Sequence, residues 1–315
     1  MTRIRPVRWA APLLALGLLV AAAVPAAAQS PSAQSPSAQP PSFLQPPAQN
    51  YVALGDSYAA GPLIPLQTGT PAGCLRSNRN YPALVAETIG VREFRDVSCS
   101  GATTEHLAGP QQVTLGTNPP QLDALTDEVD LVTLTMGGND IGFGSIVSEC
   151  AARSPLQPYG AACRDFYTAG GIDQLAERIE DTAGKVAEAL SEIESRSPDA
   201  RVLVVGYPAI LPDTGPGCYP LIPFSPGDVD YLRETEKRLN AMLEREAGEA
   251  GVDYVDTYTP TIGHDICTLP GTKWIEGLVP TSPAAPVHPN ALGMAAIAAA
   301  VVGSQADETV LAPGA

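Results

Sequence analysis

A small set of residues in this chain has the types and spacing needed for acyl transfer. Gly55-Asp56-Ser57 closes the short apolar run Tyr51-Val52-Ala53-Leu54. That run reads as a buried strand, so Ser57 stands where a strand stops and a hydroxyl can face a crevice. A serine hydroxyl is a weak nucleophile until a base takes its proton. Three histidines are available. His106 follows a glycine turn, His264 sits in Gly263-His264-Asp265 beside Cys267, and His288 sits in Val287-His288-Pro289-Asn290. His288 is the best placed, in a proline-stiffened loop at the start of a helix. Acyl transfer also needs donors aimed at a developing oxyanion. Cys99-Ser100-Gly101-Ala102 offers the Gly101 N–H, and Met136-Gly137-Gly138-Asn139-Asp140 offers the Asn139 amide. Asp56 and Asp140 are expected to fix the turns that present Ser57 and Asn139.

The elements that must position these residues are legible as short apolar runs. Strands are expected at Tyr51–Leu54, Phe94–Val97, Leu131–Met136, Val202–Val205 and Val252–Val255. Their valine and leucine content suits strands buried on both faces. Between them, Ile172, Leu175, Ile179, Ala183, Val186, Leu190 and Ile193 step by three and four and predict an amphipathic helix. Val229, Leu232, Leu239, Met242 and Leu243 predict a second, and residues 290–302 a closing helix. Alternating strand and helix implies an α/β fold, a parallel sheet covered on both sides with ligands at the strand C-terminal ends.

Before the strands lies a different kind of sequence. Arg3, Arg5 and Arg8, an apolar stretch from about Trp9 to Val24, and Ala26-Ala27-Ala28 read as a signal peptide over residues 1–28, cleaved before Gln29. Residues 29–49 repeat Ser-Pro-Ser-Ala-Gln and add further proline, which reads as a linker. The catalytic domain is expected over 50–303, with a tail at 304–315. A secreted protein with no stable membrane anchor after cleavage follows. The formal charge of -16 becomes -19 once the three leader arginines are removed. That acidity argues against nucleic acid and anionic membranes as partners. Six cysteines in the exported region imply three disulfides. Order along the chain suggests Cys74–Cys99, Cys150–Cys163 and Cys218–Cys267. No CxxC or HxxxH spacing suggests zinc.

Taken together, Gly55-Asp56-Ser57, Gly101, Gly138-Asn139-Asp140 and His288 resemble the motifs of the SGNH hydrolases, also called GDSL lipases and esterases. The resemblance runs from about residue 50 to 303 and extends to the cysteine pattern of the secreted, three-disulfide actinobacterial members. It implies a three-layer α/β/α sandwich with a mostly parallel five-stranded sheet, the flavodoxin-like SGNH hydrolase fold. It implies ester hydrolysis through an acyl-enzyme on Ser57, with His288 as general base and then acid. The oxyanion hole would comprise the Ser57 N–H, the Gly101 N–H and the Asn139 side chain. No metal or cofactor is implied.

The chain departs from that pattern at one place. Many members carry an aspartate three residues before the histidine; here Ala285 stands there, and no carboxylate lies between Glu276 and His288. The favoured expectation is that a main-chain carbonyl near Ala285 orients His288. Asp256 or Asp265 is the alternative acid. The expected substrate is a small or lipid-like ester, with Leu63-Ile64-Pro65-Leu66 and Leu221-Ile222-Pro223-Phe224 as candidate acyl-binding loops. A monomer is expected. An acyltransferase, a carbohydrate deacetylase and a non-catalytic secreted binding protein are the rival readings.

Overall fold

The computed structural model describes residues 48–306. The expected signal peptide and nearly all of the expected linker lie outside them. Five strands form one sheet: β1 (Asn50–Gly55), β2 (Glu93–Asp96), β3 (Leu131–Thr135), β4 (Arg201–Val205) and β5 (Asp253–Val255). Their order is β2-β1-β3-β4-β5, and every pairing is parallel. Register aligns Val52 with Val132 and Val132 with Val202.

Alternation along each strand divides the core in two. Val52, Leu54, Val132, Leu134, Val202 and Val204 point to one side, against the helices Gln174–Arg196 and Pro226–Ala250. Tyr51, Ala53, Leu131, Leu203 and Val205 point to the other, against Tyr81–Ile89 and Ala291–Ala306. The result is the expected three-layer sandwich.

Three expectations shift. The second strand begins one residue earlier than expected and ends at Asp96. Far from being buried on both faces, it is the sheet edge, with Glu93, Phe94 and Arg95 exposed. An edge strand has a partner on one side only, so polar side chains are tolerated there. Ile172 does not belong to its helix and is exposed. Asp173 caps that helix by accepting from the N–H groups of Leu175 and Ala176, so the helical stripe starts at Leu175. The closing helix runs on to Ala306, three residues into the segment expected as a tail.

Strand order locates the crevice. The chain leaves β1 toward β2 on one side and returns to β3 on the other, so β1 and β3 flank a topological switch point. Asp56-Ser57 follows β1, and Met136-Gly137-Gly138-Asn139 follows β3. Among the described residues, no helix is long and apolar enough to cross a membrane.

Candidate active site

Ser57 opens a one-turn helix, Ser57–Ala60, capped by Asp56, whose carboxyl accepts from the Tyr58 N–H at 2.8 Å. Gly55 makes this turn feasible. Its φ is +155°, and a Cβ there would lie 2.7 Å from the Ala59 Cβ and 2.9 Å from the Thr135 carbonyl oxygen. Gln121 clasps Gly55 from both sides, accepting from its N–H at 2.8 Å and donating to its carbonyl at 3.0 Å.

His288 meets Ser57 across 231 residues of chain: Nε2 lies 2.8 Å from Ser57 Oγ. The other ring nitrogen, Nδ1, lies 2.7 Å from the Pro286 carbonyl oxygen. A carbonyl only accepts, so the proton sits on Nδ1 and Nε2 is free to accept from the serine. The expected orienting carbonyl is therefore displaced by one residue. The Ala285 carbonyl instead accepts the backbone N–H of His288 at 3.2 Å. The physical cause is Val287, held at φ +60°, which turns the chain so that the Pro286 carbonyl faces the imidazole. The Tyr58 hydroxyl donates to the Val287 carbonyl at 2.7 Å and so secures that turn. The Tyr58 ring also packs on His288, with centroids 4.9 Å apart.

Neither candidate acid reaches the imidazole. Asp256 accepts from the N–H groups of Tyr258 and Thr259, and Asp265 from that of Cys267. The other histidines are engaged locally. His106 Nδ1 accepts from the Thr103 N–H, and His264 stacks on Trp274 at 3.5 Å.

The two glycine-rich turns converge on the same crevice. Gly101 has φ +79°. Among the described residues, neither its N–H nor that of Ser57 donates to a protein acceptor. Asn139 Nδ2 donates to the Ala102 carbonyl at 2.8 Å, tying the second turn to the first. Asp140 reinforces this tie by accepting from the Thr104 N–H and hydroxyl. The Cys74–Cys99 disulfide, together with Ser100 N–H donating to the Cys74 carbonyl, anchors the Gly101 turn. Disulfides also join Cys150 to Cys163 and Cys218 to Cys267.

Two positioning groups escape sequence reasoning. The Tyr207 hydroxyl donates to Asp56 Oδ2 at 2.7 Å and accepts from the Gly138 N–H at 2.8 Å. Gln111 Nε2 donates to the Ser100 carbonyl at 2.9 Å, which fixes the plane of the Ser100–Gly101 peptide. The first follows β4, and position alone marks it. The second lies in a hairpin, Gln111–Val113 with Gly116–Asn118, and nothing in the sequence signals it.

Burial sets the electrostatics. It pushes Asp56 up to about 7, although Tyr207 and Tyr58 donate to it. It holds the His288 imidazole below its ordinary value, against the opposing pull of the Pro286 carbonyl. Beside Ser57 opens an apolar slot lined by Phe143, Ile146, Ile210, Phe224, Leu232 and Leu239. Of the two expected acyl-binding loops, only Leu221–Phe224 contributes to this slot. Leu66 is exposed and, with Ile64 and Pro65, borders a separate groove beside Asn78 and Pro283.

A serine hydroxyl hydrogen-bonded to an oriented imidazole, beside unpaired backbone N–H groups, is equipped to attack a carbonyl and stabilise the resulting oxyanion. The profile of the GDSL-like lipase/acylhydrolase family matches residues 53–296. The chain belongs to that family. This GDSL hydrolase is 42% identical to Lipase 2 of Streptomyces coelicolor over 253 residues, covering 78% of this chain and 82% of that protein. It is 30% identical to an esterase of Streptomyces scabiei, covering 69% and 72%. Its fold is similar to that of a phospholipase A1 from Streptomyces albidoflavus, with TM-score 0.68, 28% identity, and 82% of this chain and 99% of that one covered. An extracellular lipase from Streptomyces rimosus gives TM-score 0.63 at 27% identity, with the same coverage. As a GDSL-family member, the protein is a carboxylic ester hydrolase.

Proposed function

We propose that this hydrolase cleaves lipid-like carboxylic esters outside the cell through an acyl-enzyme on Ser57. The observation that carries the reading is the continuous relay from Ser57 Oγ to His288 Nε2 and from His288 Nδ1 to the Pro286 carbonyl, at 2.8 and 2.7 Å. Ser57 Oγ bonds to the ester carbonyl carbon while its proton passes to His288 Nε2. The carbonyl oxygen becomes an oxyanion, held by the N–H groups of Ser57 and Gly101 and the Asn139 amide. The imidazolium then protonates the leaving alcohol as the C–O bond breaks. Water repeats the cycle: His288 takes its proton, its oxygen bonds to the acyl carbon, and Ser57 leaves with a proton returned by His288.

The Pro286 carbonyl fixes the tautomer and ring orientation that an aspartate fixes in a triad. It supplies dipole rather than full charge to the imidazolium. The relatives that act on lipids and the apolar slot beside Ser57 support the lipid-like preference. Three disulfides support export.

Fluorophosphonate labelling tests the nucleophile. Label is expected on Ser57, and Ser57→Ala or His288→Ala is expected to lower nitrophenyl ester turnover by several powers of ten. A folded wild-type protein that never labels would overturn the reading. N-terminal sequencing of protein from the medium should begin at Gln29.

A further inference from the structure

The slot beside Ser57 contains a charge-bearing side chain that the catalytic relay does not use. Glu236, on the helix Pro226–Ala250, lines it among Leu232, Leu239, Ile210 and Phe224 and is only 9% exposed. A carboxyl group has about four acceptor sites. Among the described residues, one donor reaches this one: the Ile210 N–H, shared between the two oxygens at 3.2 and 3.3 Å. No arginine, lysine or histidine forms an ion pair with it among the described residues. The slot's other polar lining belongs to the catalytic end, where Asp56 accepts from the Tyr58 N–H on one oxygen and the Tyr207 hydroxyl on the other; away from that end the wall is apolar but for Thr235 and Glu236.

A plain alkyl chain would bury that group with its remaining capacity unmet, which is costly in a dry site. A hydroxyl on the chain would satisfy it in either protonation state, donating to the carboxylate or accepting from the acid. Thr235, the neighbouring polar residue of the slot, has its hydroxyl committed to the Tyr231 carbonyl at 2.9 Å and does not compete. We infer that the slot is an acyl-binding site selective for hydroxyacyl esters, with Glu236 as the residue that reads the hydroxyl. This rests on the reading of Ser57 as the nucleophile, because the slot is the acyl site only if the ester carbonyl sits at Ser57. Sites that pair with a substrate hydroxyl discriminate against the analogue lacking it more sharply than apolar pockets discriminate by size.

The test uses the intact protein and nitrophenyl esters of one chain length, either plain or bearing a single hydroxyl moved carbon by carbon along the chain. The expected result is a peak: one position raises kcat/KM about tenfold over the plain ester, and its neighbours do not. Glu236→Met should abolish the peak, while Glu236→Gln, which still donates, should keep part of it. A wild-type profile that is flat, or a peak that survives Glu236→Met, overturns the inference. Because the positional scan needs no variant, a misfolded Glu236→Met leaves it decisive. A flat profile with brisk turnover of every ester sinks the slot assignment alone. Absence of turnover together with absence of Ser57 labelling sinks the underlying hydrolase reading instead.

Discussion

The Tyr207 hydroxyl donates to Asp56 Oδ2 at 2.7 Å while it accepts the Gly138 N–H at 2.8 Å. One phenol therefore joins the turn that presents Ser57 to the turn that presents Asn139, and it reaches both from the end of a third strand. Tyr207→Phe removes both bonds and leaves a buried carboxyl and a buried N–H short of partners. The expected cost is about 1–3 kcal/mol of stability and a drop in kcat of about tenfold or more, with KM little changed. Urea denaturation and steady-state kinetics would measure the two separately. A variant with wild-type kcat would show that the two turns hold their relation without the phenol.

Gln111 holds the peptide plane that carries the proposed oxyanion donor, the Gly101 N–H. Because a trans peptide sets C=O and N–H in opposite directions, holding the Ser100 carbonyl aims the Gly101 N–H away from Gln111. Loss of a whole oxyanion donor costs about a hundredfold to a thousandfold. Gln111→Leu, which leaves the donor present but unguided, should cost about tenfold in kcat. Gln111→Glu should be worse than Gln111→Leu when ionised, since it sets an acceptor against an acceptor. A trifluoromethyl ketone that binds all three proteins equally well would rule this coupling out.

Asp256 and Asp265 spend their hydrogen-bonding capacity on local backbone, so neither should be needed for chemistry. Asp256→Ala and Asp265→Ala are each expected to retain kcat/KM within about threefold, while losing stability of about 1 kcal/mol from the freed N–H groups. Abolished turnover in a folded variant would restore a side-chain acid to the mechanism.

The acid limb of the rate profile should lie below pH 6.5. Burial depresses the His288 pKa; as the proposed base it must be neutral, so activity should be lost only as pH falls through that lowered value. The unfolded chain takes up this proton more readily, so the histidine's contribution to stability is complete above 6.5 and fades as pH falls through the folded pKa. Asp56 works in the opposite sense. Its ordinary value is 3.8 and burial carries it to about 7, so its contribution is present below 3.8 and lost as pH rises toward 7. Melting temperatures of wild type and Asp56→Asn, compared from pH 4 to 7.5, should shift in favour of the variant as pH rises. A constant gap would contradict the buried-acid account.

The legible parts of the site were those where residue type and position coincide. Ser57, Gly101 and Asn139 each follow a strand, and His288 precedes a helix, so their placement at the strand ends follows from topology. The orienting carbonyl was harder to read because a main-chain oxygen has no side-chain signature. Its identity turns on the positive φ of Val287, a conformation that valine's own preferences argue against. Tyr207, Gln111 and Glu236 were invisible for another reason. Each is an ordinary residue in an ordinary segment and acquires its role from a partner on another segment, 11 residues away for Gln111 and Ser100, 26 for Glu236 and Ile210, and 151 for Tyr207 and Asp56. The run at Glu93–Asp96 reads as buried in the sequence but is an edge strand, because an apolar-run criterion does not register how many neighbours a strand has.

The contact between Ser57 and His288 spans most of the folded chain, and the residues after His288 form the helix that closes one face of the sheet. Timing follows from this arrangement. During synthesis Ser57 emerges 231 residues before the imidazole that bonds to its hydroxyl. A chain truncated ahead of His288 would hold that serine with no imidazole to accept its proton. Under the proposed mechanism, ester cleavage is withheld from such a chain by the order of the sequence itself.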